Sequence, residues 1–111
     1  MQIDVETTHD GSCVRLRGDL DAAAARAFDA QLEALVPELH ANVTLDLSGL
    51  TCLDSQGLKA FLRLDKLLKA GGKAFVLRGA APFIFRIFRY CGLDTYFRFV
   101  EPQGLRAESG G

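Results

Sequence analysis

Residues 43–58 restrict what this chain can fold into more than any other stretch. Val43, Leu45 and Leu47 alternate with Thr44 and Asp46, the period of a strand with one buried face. Ser48 and Gly49 read as the end of the extended run. Apolar residues then return with helical spacing at Leu58, Phe61, Leu62, Leu64, Leu67 and Leu68. The intervening turn places Asp54 and Ser55 at a helix N-terminus. Free backbone N–H groups and the helix dipole suit a capping side chain there, and would also welcome an anion such as a phosphate.

The rest of the chain sets limits on what can surround that unit. Its 111 residues are enough for one domain, expected over 1–100, with 101–111 as a frayed C-terminal tail in which only Leu105 suggests a helical turn. Nearly half the residues are apolar and about a quarter charged, as in folded globular proteins. A net charge of −1 gives no reason to expect direct nucleic-acid binding. No apolar run approaches a membrane-spanning length and no signal segment opens the chain, so neither membrane insertion nor export is expected and the expected compartment is the cytoplasm. Cys13, Cys52 and Cys91 lack metal-ligand spacing and read as small buried hydrophobes of a reducing compartment, with no metal site.

Taken in order, residues 2–7 alternate as a half-buried strand and turn at His9-Asp10-Gly11 into a second strand through Val14, Leu16 and Gly18. Asp21 can cap a helix over 22–35 with a buried stripe of Ala24, Phe28, Leu32 and Leu35, and Pro37 marks its exit. The Arg17-Gly18-Asp19 triplet is explained by the end of a strand and needs no adhesion role. The central helix spans about 55–70, with Lys59, Arg63, Lys66 and Lys69 toward solvent and Gly71-Gly72 as its stop. Gly72-Lys73 is no P-loop, since Ala74 stands where Ser or Thr would hold magnesium. A buried strand through Ala74, Val76 and Leu77 leads to a helix over 83–91 with a core stripe of Ile84, Ile87, Phe88 and Cys91. Phe83, Phe85 and Tyr90 lie off that stripe. They either pack under the C-terminal tail or form a partner or self-association patch, which makes a homo-oligomer through this helix an expectation to test. Gly92 is the expected left-handed cap, and Tyr96, Arg98 and Val100 alternate as a last strand.

The order β-β-α-β-α-β-α-β makes each helix a crossover between parallel strands, and right-handed crossovers between neighbouring strands put the helices on one face. The string Leu-Asp-Leu-Ser-Gly-Leu followed by Leu-Asp-Ser-Gln-Gly-Leu, with Gly-Asp-Leu-Asp at 18–21 and Gly-Leu at 92–93, strongly resembles the STAS domain of anti-sigma factor antagonists. That resemblance implies an α/β STAS fold, a mixed and mostly parallel sheet with helices packed mainly on one face. It also implies that Ser55 is the phosphorylated serine of the Asp-Ser-x-Gly signature. Asp21 would lie beside its loop, and Asp21, Asp54, Ser55, Gln56, Gly57 and Lys59 would form the partner surface. Gln56 departs from the small Ser or Ala usual in the family, and its longer amide can reach a partner or shade Ser55.

The function implied is that of an anti-sigma factor antagonist. The unphosphorylated form binds an anti-sigma factor that is also a serine kinase and frees the sigma factor, and phosphorylation ends the binding. A serine phosphatase would reset the switch. The chain would need no cofactor of its own, the Mg-ATP being used by the partner kinase. The alternative keeps the fold as a STAS subunit or scaffold of a lipid-transport ABC system or stress-signalling complex, without a phosphorylation switch. An enzyme reading is disfavoured. Ser55 and Gly57 imitate part of a hydrolase nucleophile elbow, but Leu53 replaces its first glycine and both histidines, His9 and His40, precede the serine.

Overall fold

The computed structural model describes residues 1–100, so the expectations for 101–111 and Leu105 lie outside the described residues. Strands β1 (Gln2–Thr8) and β2 (Gly11–Leu20) form the hairpin, followed by α1 (Ala22–Leu35) and a short 3-10 turn (Val36–Glu38) at Pro37. Then come β3 (Asn42–Leu53), α2 (Ser55–Ala70), β4 (Ala74–Arg78), α3 (Pro82–Tyr90) and β5 (Phe99–Val100). The five strands lie side by side in chain order. β1 is antiparallel to β2, whereas β2, β3, β4 and β5 are mutually parallel, as the crossovers require.

Alternation along the strands sends Val14, Leu16, Val43, Leu45, Leu47 and Leu77 into one buried layer. The helices cover that side. Phe61 of α2 meets Phe28 of α1 at 6.2 Å between ring centroids and Phe88 of α3 at 5.4 Å, both edge to face. Burying each of these rings stabilises the fold by roughly 1.5–3 kcal/mol and fixes the three helices against one another.

The opposite face is finished by charge. Arg17 pairs with Asp4 at 3.1 Å and Arg15 with Glu6 at 3.4 Å. Asp46 lies at the centre of this face, only 8% exposed, with Arg15 and Arg78 on one carboxylate oxygen and the Ser48 N–H and hydroxyl donating to the other. Burial alone would push the Asp46 carboxyl up, but the two Ser48 donors and the guanidinium groups of Arg78 and Arg15 hold it below the usual carboxylate range.

Several expectations are corrected. β3 does not stop at Ser48-Gly49 but runs on to Leu53, burying Leu50 and Leu53. Two register shifts against β2 absorb the irregularity, and Gly49 fits because a Cβ there would lie 2.5 Å from the Arg17 side chain. The cysteines are not core residues: Cys13 is half-buried, and Cys52 and Cys91 are exposed. In α1 the buried alanine is Ala25, with Ala24 and Leu35 only partly covered. α3 runs from Pro82 to Tyr90, one residue earlier than expected at each end. Tyr96 precedes β5 in a turn, where its hydroxyl donates to the buried Asp65 at 2.6 Å. The left-handed cap at Gly92 is present, with φ of 74°.

Candidate functional site

Parallel strands feeding helices through short turns bring the N-termini of α1 and α2 together at the carboxyl ends of β2 and β3. Asp21 caps α1, its Oδ1 accepting from the Ala24 N–H at 3.0 Å. Asp54 caps α2 in the same way, its Oδ1 accepting from the N–H groups of Gln56 and Gly57, each at 3.0 Å. The second oxygen of Asp54 crosses to the other helix and accepts from the Ala22 N–H at 3.0 Å. One carboxylate therefore joins two helix N-termini and meets the positive ends of both dipoles. The Asp54 N–H donates to the Leu20 carbonyl, closing the strand ends together.

Gly57 serves this junction from within. It is buried, and a Cβ on it would lie 2.4 Å from the Leu20 carbonyl oxygen and 2.7 Å from Leu53 Cδ1. Only glycine lets α2 approach β2 this closely. Its part in the site is to allow that approach, because a buried α-carbon presents no side chain to a partner.

Around the junction the groups are exposed. Ser55 is the first residue of α2 and open to solvent, with Gln56 exposed beside it and Lys59 exposed one turn on. Among the described residues the Ser55 hydroxyl has no hydrogen-bond partner, so neither Asp54 nor Gln56 holds it. Asp19 lies at the end of β2 and accepts from the Thr51 hydroxyl at 2.6 Å. Asp19, Asp21 and Asp54 thus put three carboxylates at this end of the sheet. Of the two roles open to Asp54, orienting the Ser55 hydroxyl or capping the helix, the structure shows capping, since both of its oxygens are occupied by backbone donors. The helix-end N–H groups of Gln56 and Gly57 are also taken, so an anion on Ser55 does not find them free.

His9 lies in the β1–β2 turn, and His40 precedes β3, where its Nδ1 accepts from the Asn42 N–H at 3.0 Å. Both are at the amino ends of the strands. The 12 residues of β3 separate that end from Ser55 by about 40 Å at the usual rise per residue, so neither imidazole can activate the serine.

Sequence reasoning located Asp21, Asp54, Ser55, Gln56, Gly57 and Lys59, and the structure brings the first five together, with Lys59 at their margin. It also placed Asp19 in the acidic surface, but missed the Ala22 N–H, the hydrogen bond from Thr51 to Asp19, and Leu20 as the wall behind Gly57. A backbone donor 32 residues from its carboxylate leaves no signal in the sequence.

The family model described as Mlab, STAS domain matches residues 3–102. Among solved structures, an anti-sigma factor antagonist from Mycobacterium paratuberculosis superposes with a TM-score of 0.79 at 26% identity, covering 98% of this chain and 92% of that one. The anti-sigma factor antagonist SpoIIAA in its unphosphorylated form gives 0.74 at 19% identity, with 97% and 94% covered. The Bacillus cell fate determinant SpoIIAA in the phosphorylated form gives 0.67 at 20% identity, with 97% of each chain covered. With the match running from β1 through β5 and across both capped helices, the chain belongs to the STAS domain family.

Proposed function

We propose that this chain is an anti-sigma factor antagonist whose binding to an anti-sigma factor serine kinase is gated by phosphorylation of Ser55. The observation that carries this reading is the exposed hydroxyl of Ser55, without a partner among the described residues, on a rim where Asp54 is held in place by three backbone donors. A kinase needs an accessible acceptor oxygen, not an activated nucleophile, and this one is accessible.

The same arrangement accounts for the gate. A phosphate adds about −1.5 to −2 charge. Asp54 already occupies the N–H groups of Gln56, Gly57 and Ala22, so the phosphate is left facing outward beside Asp54 and Asp21. A partner surface that fitted a neutral hydroxyl then meets dense negative charge. Opposing like charges across an interface costs several kcal/mol, and about 1.4 kcal/mol is already tenfold in affinity. No refolding is required. The relatives support the role: similar structures include anti-sigma factor antagonists, one of them described in both phosphorylated and unphosphorylated forms.

The kinase supplies the chemistry with Mg-ATP, and the chain supplies the acceptor and the docking rim of Asp21, Asp54, Gln56 and Lys59. Incubation with the kinase and Mg-ATP should modify the wild type and leave Ser55→Ala unmodified, as read by mass spectrometry. Ser55→Asp should lose the partner in a pull-down. If Ser55→Asp binds as tightly as wild type, the charge gate is wrong.

A further inference from the structure

The net charge of −1 conceals a polar division of the chain. Residues 1–54 contain ten Asp or Glu against three Arg, whereas residues 55–93 contain eight Lys or Arg against Asp65 alone. α2 and α3 meet in the core through Phe61 and Phe88, while Lys66 of α2 lines the groove toward α1 with Asp29 and Glu33.

Some of these cations are used within the chain. Arg63 pairs with Asp29, Lys69 with Asp65 and Arg78 with Asp46, while the Lys73 ammonium donates to the Leu39 carbonyl. Among the described residues Lys59 and Lys66 of α2 and Arg86 and Arg89 of α3 have no ion pair, and all four are exposed.

Two aromatic rings are exposed on α3 beside Arg86 and Arg89. Phe83 and Tyr90, seven residues apart on one stripe of α3, are 48% and 82% exposed. Their neighbours show what internal satisfaction looks like. Phe85 packs edge to face on Phe99 at 5.0 Å, and the Tyr96 hydroxyl reaches Asp65. Phe83 and Tyr90 are left with Arg86 between them, and Arg, Tyr and Phe are the residue types enriched at the centre of protein interfaces.

We infer that the outer face of α3, formed by Phe83, Arg86, Arg89 and Tyr90, docks an acidic, apolar-bearing segment of a protein partner. Charge complementarity selects this occupant. A second copy placed α3 against α3 would oppose Arg86 and Arg89 with their own kind, which counts against a homo-oligomer through this helix. A lipid surface is disfavoured too, because Ile84 and Phe88 are buried in the core and only two rings remain to insert. The surface is separate from the Ser55 hydroxyl and does not depend on its phosphorylation.

The test is an NMR titration of the uniformly labelled chain with a synthetic acidic amphipathic helix built from Glu and Leu. Backbone amides of 83–90 and the Arg86 and Arg89 side-chain Nε–H signals should shift. The paired variant Arg86→Glu with Arg89→Glu, whose sites are exposed, should weaken binding by about tenfold or more. Ser55→Asp should leave it unchanged, so failure of the phosphorylation reading and failure of this one are distinguishable. Shifts spread evenly over all Lys and Arg, or no loss in the paired variant, would overturn the proposal. So would tighter binding to phosphatidylglycerol vesicles than to the peptide, or concentration-dependent self-association that Arg86→Glu removes.

Discussion

Replacing Asp54 tests the junction of the two helices, and the choice of replacement separates its two halves. Asp54→Ala removes the acceptor for Gln56 and Gly57 and the acceptor for Ala22 together. Loss of an N-cap costs about 0.5–2 kcal/mol. The crossing bond to Ala22, lying in an exposed position, adds about 1 kcal/mol. The sum, about 1.5–3 kcal/mol, corresponds to a fall of roughly 10 °C in Tm for a domain of this size. Asp54→Asn keeps a carbonyl oxygen for the α2 cap but turns an NH2 group toward the Ala22 N–H, so it should cost only about 1 kcal/mol. Urea denaturation measures both totals, and amide hydrogen exchange assigns them. Asn should expose the Ala22 amide alone, whereas Ala should expose Ala22, Gln56 and Gly57. The reasoning is refuted if Asp54→Ala lies within about 0.5 kcal/mol of wild type, a change typical of a featureless surface site, or if Asn deprotects Gln56 and Gly57 as fully as Ala does.

Further outcomes follow from the same contacts. Gly57→Ala drives a Cβ against the Leu20 carbonyl oxygen and Leu53, and should destabilise by about 1–3 kcal/mol or more, read as a lower urea midpoint with unchanged slope. Tyr96→Phe leaves Asp65, 4% exposed, with Lys69 as its remaining partner and should cost about 1–3 kcal/mol. Because the Asp46 carboxyl is held below its unfolded-state value, its contribution is present above the ordinary carboxylate range and is lost as pH falls through the lowered folded value. Acid titration of stability should therefore be shallower in Asp46→Asn than in wild type, and equal slopes would contradict the ion-pair account of the open sheet face.

The parts of the fold that were legible in the sequence are those with local causes. α1 and α2 fall on the expected 22–35 and 55–70 because a capping Asp precedes each, and α2 ends at Gly71-Gly72. The end of β3 was misjudged because Ser48-Gly49 is turn chemistry taken alone, and only the neighbouring strand shows that Gly49 makes room for Arg17. Cys52 and Cys91 were misplaced for a similar reason, since thiol hydrophobicity does not decide burial at a strand end or a helix C-terminus. At the site, residue types pointed to Asp21, Asp54 and Ser55, but what Asp54 holds depends on a backbone group of another helix. That contact made it a cap for two helices and left Ser55 unencumbered.

One charge on the Ser55 oxygen decides partner binding, and it is tested by the affinity of the anti-sigma factor kinase for this chain before and after stoichiometric phosphorylation of Ser55. Isothermal titration should show binding by the unmodified chain and a loss of about a hundredfold or more after modification, with Ser55→Ala binding like the unmodified wild type. Equal affinity for the phosphorylated and unphosphorylated chains would contradict the account.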